Sequence, residues 1–211
     1  MTPVHPATVA ASHTAVPVPR RDPDLPERLR VAALHAYQVL DREPIPDLDG
    51  LAALAAHVTG ARHALVNLLD EDRLSSAAAA GGPRAQCSRD DALCRYAVEE
   101  QRAVHTPDAS TDPRFRDNPI VDGRLGAVRL YAAAPLTTPD GYTIGTLCVL
   151  DETARALTTR ELGALGLLAD QVVALFEARR RTADLQRALE DLERVAHVDP
   201  LTGLVNRAAA L

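Results

Sequence analysis

The longest regular pattern of apolar positions runs from Thr158 to about His197 and predicts one continuous helix. About 40 residues at about 1.5 Å each give a rod about 60 Å long, more than a compact domain requires. Thr158 and Glu161 match a capping box, whose side chains satisfy the free amides of the first helical turn. The first half carries a wide apolar stripe typical of a helix lying on a domain core, formed by Leu162, Leu165, Leu168, Ala169, Val172, Val173 and Phe176.

From Leu175 onward the apolar stripe narrows to the seam of a two-helix coiled coil. The seam places Leu175, Thr182, Leu189 and Ala196 at heptad position a, and Ala178, Leu185 and Leu192 at position d. This pattern predicts a homodimer formed through the C-terminal helix. About three heptads are present, and Thr182 and Ala178 are weak packing residues. The alternative is a single solvated helix with one amphipathic face.

Before this helix, the pattern predicts two shorter helices after a tail. Residues 1–25 are rich in Pro, Ala, Thr and Val without periodicity, which indicates a disordered tail. A first helix is predicted from Glu27 to Leu40, with one face formed by Leu29, Ala33, Leu34, Tyr37 and Leu40. A second is predicted from Leu48 to Val58, capped by Asp47, ended by Gly60, and buried through Leu51, Leu54, Ala55 and Val58.

The middle of the chain changes to short apolar runs that predict strands. Strands are expected at 63–69, at 74–80, from Val104, and at 128–136 and 143–150, the last two forming a hairpin. Ser88 to Asp91 resembles a capping signal for a helix through Val98, and the polar residues 108–123 form no regular element. Strands between helices without regular alternation predict an α+β fold, with an antiparallel sheet flanked by helices and a long C-terminal coiled-coil helix.

The composition and the distribution of charged, apolar, cysteine and histidine residues argue against several classes of protein. The net charge of −6 and the scattered basic residues argue against a nucleic-acid-binding face. No apolar run approaches the ~18 residues of a membrane span, and no signal peptide is recognisable, so we expect a cytoplasmic protein. Three cysteines do not make a disulfide scaffold. The histidines are dispersed, so no metal site is expected, although haem ligation by His57, His63 or His105 stays open.

Five blocks in this order resemble the GAF domain, a family of small-molecule sensor modules. They are ALVNLLD at 64–70, LCRYAV at 93–98, Asp108 with DPRFRDNP at 112–119 and Val121, LYAAAPL at 130–136, and GTLCVLD at 145–151. The resemblance covers residues 26–178 and implies a GAF-like antiparallel sheet flanked by helices.

A second resemblance lies at the C-terminus, where DPLTGLVNR at 199–207 is similar to the opening motif of the GGDEF domain, the diguanylate cyclase module. We therefore expect a GAF domain at 26–178, a signalling helix at 179–198 and a truncated GGDEF domain from 199. The loop that would hold GTP and Mg²⁺ is not found among these 211 residues, so no catalytic residue is assigned to this sequence and the effector is unknown.

In similar GAF domains the ligand lies between the sheet and the irregular segment 108–123. The resemblance therefore implies a ligand site whose candidate residues are Cys94, Asp108, Arg114, Phe115, Asn118, Val121 and Tyr131. The structural alternative is that Asp112 and Arg114 pair to stiffen the segment, that Asn118 caps a turn, and that Phe115 is a core anchor.

Cys94 and Cys87 form a candidate redox pair. A thiol near a helix N-terminus and beside Arg95 can have a lowered pKa, and a turn can bring Cys87 to it. The alternative is that Cys94 is a small buried hydrophobic residue. Bilin attachment at Cys94 is not expected, because chromophore-binding relatives follow this cysteine with histidine and here Arg95 follows.

These observations predict a homodimeric GAF sensor for an unidentified small molecule, which regulates a C-terminal diguanylate cyclase and needs neither nucleic acid nor membrane. Two alternatives stay open. One is a thiol-redox sensor that uses Cys87 and Cys94, and the other is a ligand-free dimerisation module.

Overall fold

The computed structural model describes residues 25–197, and the side chains as far as Leu192. The predicted tail before Leu25, the side chain of Ala196 and the GGDEF-like residues 199–211 lie outside the described residues. The helices are α1 (Leu25–Ala36), α2 (Pro46–Thr59), α3 (Arg95–Glu99) and α4 (Thr159–His197). The strands are β1 (His63–Leu69), β2 (Arg73–Ala80), β3 (Gln86–Ser88), β4 (Val104–Thr106), β5 (Leu130–Thr137) and β6 (Thr143–Asp151).

The six strands form one antiparallel sheet in the order β3-β2-β1-β6-β5-β4, which confirms the predicted α+β fold. The predicted bounds of β1 are confirmed, and β5 and β6 form the predicted hairpin with bounds that differ from the prediction by at most two residues. The short edge strand β3 was not predicted, since three residues give no readable alternation.

Alternating strand residues divide the interior into two cores. On one face Val66, Leu147 and Val149 pack against α1, α2 and α4. On the other face Tyr131 and Cys148 pack beneath α3 and the 108–123 segment, which has no regular structure, as predicted. The second face therefore carries a cover made largely of loops, the usual setting of a binding site.

The predicted buried face of α2 is partly wrong. Leu54 and Val58 are 44% and 36% exposed, whereas the buried residues are Leu48, Ala52, Ala55 and Thr59. Three of these four are small, so the helix axis approaches the alanines of β2 closely. Pro46 occupies the first turn and Ile45 is the N-cap without a side-chain bond, so Asp47 is not the cap. Gly60 ends the helix in the left-handed conformation, as predicted.

α1 ends before the predicted Leu40, and its predicted face is buried or partly buried except for one residue. It ends at Ala36, because Gln38 and Asp41 adopt positive φ angles of 52° and 54° in the turn that follows. Leu29 is 44% exposed, and Arg30 is buried in its place at 6% exposure. Tertiary ion pairing outweighs the apolar pattern here.

The predicted capping signal at Ser88 is also wrong. Ser88 belongs to β3, and α3 begins only at Arg95 with Cys94 as its N-cap. The amide of Asp91 donates to Ser88 Oγ over 3.2 Å, which closes a turn and not a helix.

α4 follows the prediction closely. The amide of Thr158 donates to Glu161 Oε2 over 2.7 Å and the amide of Glu161 donates to Thr158 Oγ1 over 3.2 Å, which confirms the capping box. Leu165 and Phe176 lie in the helix-side core. None of the helices within residues 25–197 combines the length and apolar character that crossing a bilayer requires.

An ion-pair cluster fastens α1 to the turn between β1 and β2. Glu27 accepts hydrogen bonds from Arg30 Nε and Nη2 over 2.8 and 2.7 Å, and from Arg89. Arg30 Nη2 also donates to the carbonyl of Asp70. The hydrogen bond from Arg30, assisted by Arg89, lowers the pKa of Glu27 to about 2 against the opposing effect of burial.

We expect Glu27→Gln to lower the free energy of unfolding at pH 7 by about 2 kcal/mol. It leaves the guanidinium of Arg30, whose side chain is 7% exposed, without its counter-charge, while the 38% exposure of Glu27 tempers the loss. The folded pKa lies below the unfolded one, so this stability is present above pH 4.5 and is lost as the pH falls towards about 2.

Urea unfolding at pH 7 and at pH 3 measures both effects. The difference between the Glu27→Gln variant and the original protein is smaller at pH 3 than at pH 7, because part of the contribution is lost between pH 4.5 and pH 3. Glu43→Gln is the matched control, because Glu43 is exposed and forms no ion pair within the described part of the chain. Equal stability of both variants at pH 7 would exclude a structural role for the cluster.

Candidate ligand cavity

A cavity of about 350 Å³ opens on the face of the sheet that the 108–123 segment covers. We call it the central cavity. Its sheet side is formed by Leu65, Asn67, Leu74, Tyr131, Cys148 and Leu150, and its cover by residues 84–87, 91–94, 118–120 and Leu125. Most of these side chains are apolar, which suits a small molecule with few polar groups.

The covering segment is held in shape by local carboxylate contacts. Asp108 accepts from the amide and hydroxyl of Ser110 over 3.0 and 2.6 Å. Asp112 pairs with Arg114 over 2.7 Å. These contacts hold the pKa of Asp108 and of Asp112 below the usual value for aspartate, chiefly through the hydrogen bonds from Ser110 and Arg114. The segment is therefore an ordered wall of the cavity.

Tyr131 lines the central cavity, and its hydroxyl is a buried polar atom. Its side chain is 1% exposed, and its hydroxyl has no hydrogen-bond partner among the described residues. Burial raises the pKa of Tyr131 well above its usual range, so the hydroxyl stays protonated. Phe115 fixes the ring in an edge-to-face contact with centroids 5.4 Å apart. A buried unpaired hydroxyl costs about 1–3 kcal/mol of stability.

The structure divides the predicted ligand residues into two groups. Cys94, Asn118 and Tyr131 line the central cavity. The other four lie away from it, and a ligand role for them stays a prediction: Asp108 and Arg114 make the loop contacts described above, Phe115 packs edge-to-face on Tyr96 with centroids 5.2 Å apart, and Val121 lies in the core.

Asn118 connects the covering segment to the loop that precedes α3. Its side-chain amide donates to the carbonyl of Asp91 over 2.8 Å. Its side-chain oxygen Oδ1 accepts from the backbone amide of Ile120 over 3.1 Å. The turn-capping role weighed from the sequence is therefore present, and it places Asn118 at the edge of the central cavity.

Sequence reasoning missed Asn67, Arg84, Asp91 and Leu125 as lining residues. Asn67 is 5% exposed; its side-chain oxygen accepts from Ser76 Oγ over 2.6 Å and its amide donates to Cys148 Sγ over 3.3 Å. An asparagine inside an otherwise apolar strand was the signal that could have found it. Arg84 pairs with Asp49 over 3.0 Å, so its charge is already balanced.

All three cysteines line the central cavity and are free thiols. Burial raises the pKa of Cys148 to about 12 and raises that of Cys94 further. Burial and the carboxylate of Asp91 raise the pKa of Cys87. The expected lowering at Cys94 is therefore not found, because burial dominates and the guanidinium of Arg95 lies 4.9 Å from the Tyr96 ring centre instead. Redox pairing of Cys87 with Cys94 stays a prediction.

Among the side chains that the structure describes, from Leu25 to Leu192, no group of three or more His, Cys, Asp or Glu is arranged to hold a metal ion. Of the histidines considered from the sequence, His105 has a structural bond: its Nε2 accepts from the amide of Leu157 over 3.2 Å. Burial lowers the pKa of His105, which favours the neutral ring that this bond requires.

Comparison with known proteins agrees with this architecture. Residues 44–175 match the family model of the GAF domain. A cyclic di-GMP phosphodiesterase from Pseudomonas aeruginosa is 37% identical over 144 residues, which are 68% of this chain and 22% of that protein. The chain thus spans about a fifth of the relative's length.

Three solved structures share the fold. The GAF domain of PixJ from Thermosynechococcus elongatus has a TM-score of 0.55 at 16% identity, covering 82% of this chain and 98% of that one. Free methionine-R-sulfoxide reductase from Neisseria meningitidis gives 0.54 at 21%, covering 74% and 90%. The GAF domain of Acinetobacter phosphoenolpyruvate-protein phosphotransferase gives 0.53 at 16%, covering 72% and 93%. The family-model match spans most of the described residues, and the chain belongs to the GAF family.

Proposed function

We propose that this GAF domain binds a small molecule in the central cavity and thereby controls an enzyme of cyclic di-GMP metabolism, a diguanylate cyclase, through a dimeric α4. The observation that carries the proposal is the mostly apolar cavity between the sheet and its loop cover, with Tyr131 among the residues that line it. A site of this kind fits a ligand with an apolar body and a few hydrogen-bonding groups.

Two observations support a link to cyclic di-GMP. The Pseudomonas aeruginosa relative is named as a cyclic di-GMP phosphodiesterase. Residues 199–207 resemble the opening motif of the GGDEF domain, directly after the long helix. The relative's name favours a phosphodiesterase output and the motif favours a cyclase. We choose the cyclase because the motif is part of this chain.

Hydrogen bonds join the chain just before the covering segment to the residues that precede α4. They provide a path by which ligand binding can move the helix. The carbonyl of Pro107, beside the segment, accepts from the amide of Arg155 over 3.0 Å. His105, in the preceding edge strand β4, accepts from the amide of Leu157. Thr158 then caps α4. A ligand that binds one arrangement of the segment more tightly shifts the helix by that difference in affinity.

Full-length protein incubated with GTP tests the output. We expect cyclic di-GMP to be formed, measured by chromatography of the nucleotides. We also expect Thr182→Leu to lock one helix arrangement, because it strengthens a weak seam position, and so to change the rate several-fold. Glu190→Leu adds the same side chain off the seam and is the matched control.

Two results would contradict the proposal. One is hydrolysis of added cyclic di-GMP without synthesis from GTP, which would assign the output to a phosphodiesterase. The other is an equal rate of cyclic di-GMP synthesis for the original protein, Thr182→Leu and Glu190→Leu. This result would show that α4 does not regulate the enzyme.

A further inference from the structure

A second cavity, of about 620 Å³, lies where α4 leaves the domain. It is bounded by the connection between α1 and α2 and by one side of α4. We call it the arginine groove, because Arg42, Arg179, Arg180 and Arg187 line it. Glu43 is the single acidic side chain in this lining. This concentration of positive charge contrasts with the net charge of −6 for the whole chain.

Two of the four arginines have partners on α4. Arg180 donates to Glu177 over 3.1 Å, and its guanidinium lies 5.1 Å from the centre of the Tyr37 ring. Arg187 pairs with Asp184 over 2.6 Å. Both guanidinium groups are therefore held in place by carboxylates of the same helix.

Arg42 and Arg179 have no such partners. Within the described part of the chain, neither makes an ion pair or a side-chain hydrogen bond. They come from different elements, Arg42 from the connection and Arg179 from α4, and they line the same groove. Like charges that share a groove repel each other, and an anion between them would reverse the sign of that interaction.

The floor of the arginine groove is apolar and already packed. Tyr37, Val39 and Ile45 line it and are each 9% exposed or less. The hydroxyl of Tyr37 and the guanidinium of Arg180 both donate to Glu177, so this carboxylate is already hydrogen-bonded. The groove therefore offers cationic walls above a low-dielectric floor, where charge interactions are stronger than in open water.

We propose that the arginine groove binds the phosphate groups of a small anionic molecule. Phosphate oxygens accept from Arg42 on one side and from Arg179 on the other, a geometry that the planar guanidinium fork favours. The bound molecule joins the α1–α2 connection to α4 at the point where the helix leaves the core. This site is separate from the central cavity, so its binding does not depend on the function proposed for that cavity.

Isothermal titration calorimetry on the 211-residue protein tests the site with two probes, inorganic pyrophosphate and guanosine diphosphate. We expect saturable binding of at least one probe that weakens as salt is raised from about 50 to about 500 mM. We expect the double variant Arg42→Ala and Arg179→Ala to weaken it at least about tenfold. Arg160→Ala, an exposed arginine of α4 outside the groove, leaves it unchanged.

The two probes distinguish the source of the phosphate. Equal affinity assigns the site to phosphate groups alone, and tighter binding of guanosine diphosphate assigns it to a nucleotide that also uses the apolar floor. Circular dichroism checks that the double variant is folded, and the single Arg42→Gln variant replaces it if it is not. No saturable heat from either probe, or unchanged affinity in the folded variants, overturns the proposal.

Discussion

Gly145→Ala is expected to lower the free energy of unfolding by at least about 3 kcal/mol, a large part of the about 5–15 kcal/mol that stabilises a typical domain. Gly145 lies in β6 opposite Leu68 of β1 and Leu136 of β5. A Cβ atom added there would lie 2.0 Å from the carbonyl oxygen of Asn67, far inside van der Waals contact. The obstructing atom belongs to the backbone of a central strand, so it cannot move aside as a flexible side chain would.

Gly163→Ala is the matched control. Gly163 is an exposed residue of α4, and nothing lies within 4 Å of the corresponding Cβ position. Alanine favours the helix over glycine, so this variant gains about 0.5–1 kcal/mol. Urea unfolding followed by circular dichroism measures both variants. A Gly145→Ala protein as stable as the original would show that β1 and β6 are not paired at this register.

The sequence predicted elements whose signals are local. β1 was bounded correctly, because seven mostly apolar residues end at an acidic turn. The start of α4 was found because both members of its capping box lie within four residues. The predicted faces of α1 and α2 were partly wrong, because burial there depends on distant partners. Arg30 is buried by contacts with Glu27 and with Asp70, forty residues away.

The residues that line the central cavity were also predicted only in part, because their positions depend on contacts between distant parts of the chain. The family resemblance placed the ligand site near the 108–123 segment, and Tyr131 and Asn118 do line the cavity there. Phe115 was expected to enclose a ligand, yet it lies behind Tyr131, because its ring is packed between two tyrosines. Arg84 and Leu125 reach the cavity from loops whose course follows from the whole fold, and no local pattern marks them.

We expect Leu189→Glu to weaken self-association of the protein about a hundredfold. Leu185, Leu189 and Leu192 are 66%, 60% and 66% exposed on the described chain, a row of apolar side chains at heptad spacing. Leu175, at the start of the seam, packs partly on the domain's own core. In a paired α4, the carboxylates that this substitution introduces on the two copies would face each other in a seam built for leucine, at a cost of about 3 kcal/mol.

Leu125→Glu is the control for this substitution. Leu125 is 79% exposed and follows the covering segment at the edge of the central cavity. It receives the same change of side chain without touching the seam. We expect its self-association to match that of the original protein.

Sedimentation equilibrium over a range of concentrations tests the central claim, that two copies pair through α4. We expect a molar mass approaching twice the 22.6 kDa of one chain for the original protein and for Leu125→Glu, and a mass near that of one chain for Leu189→Glu. A single-chain mass for the original protein at every concentration, or a dimer that Leu189→Glu leaves intact, would contradict it.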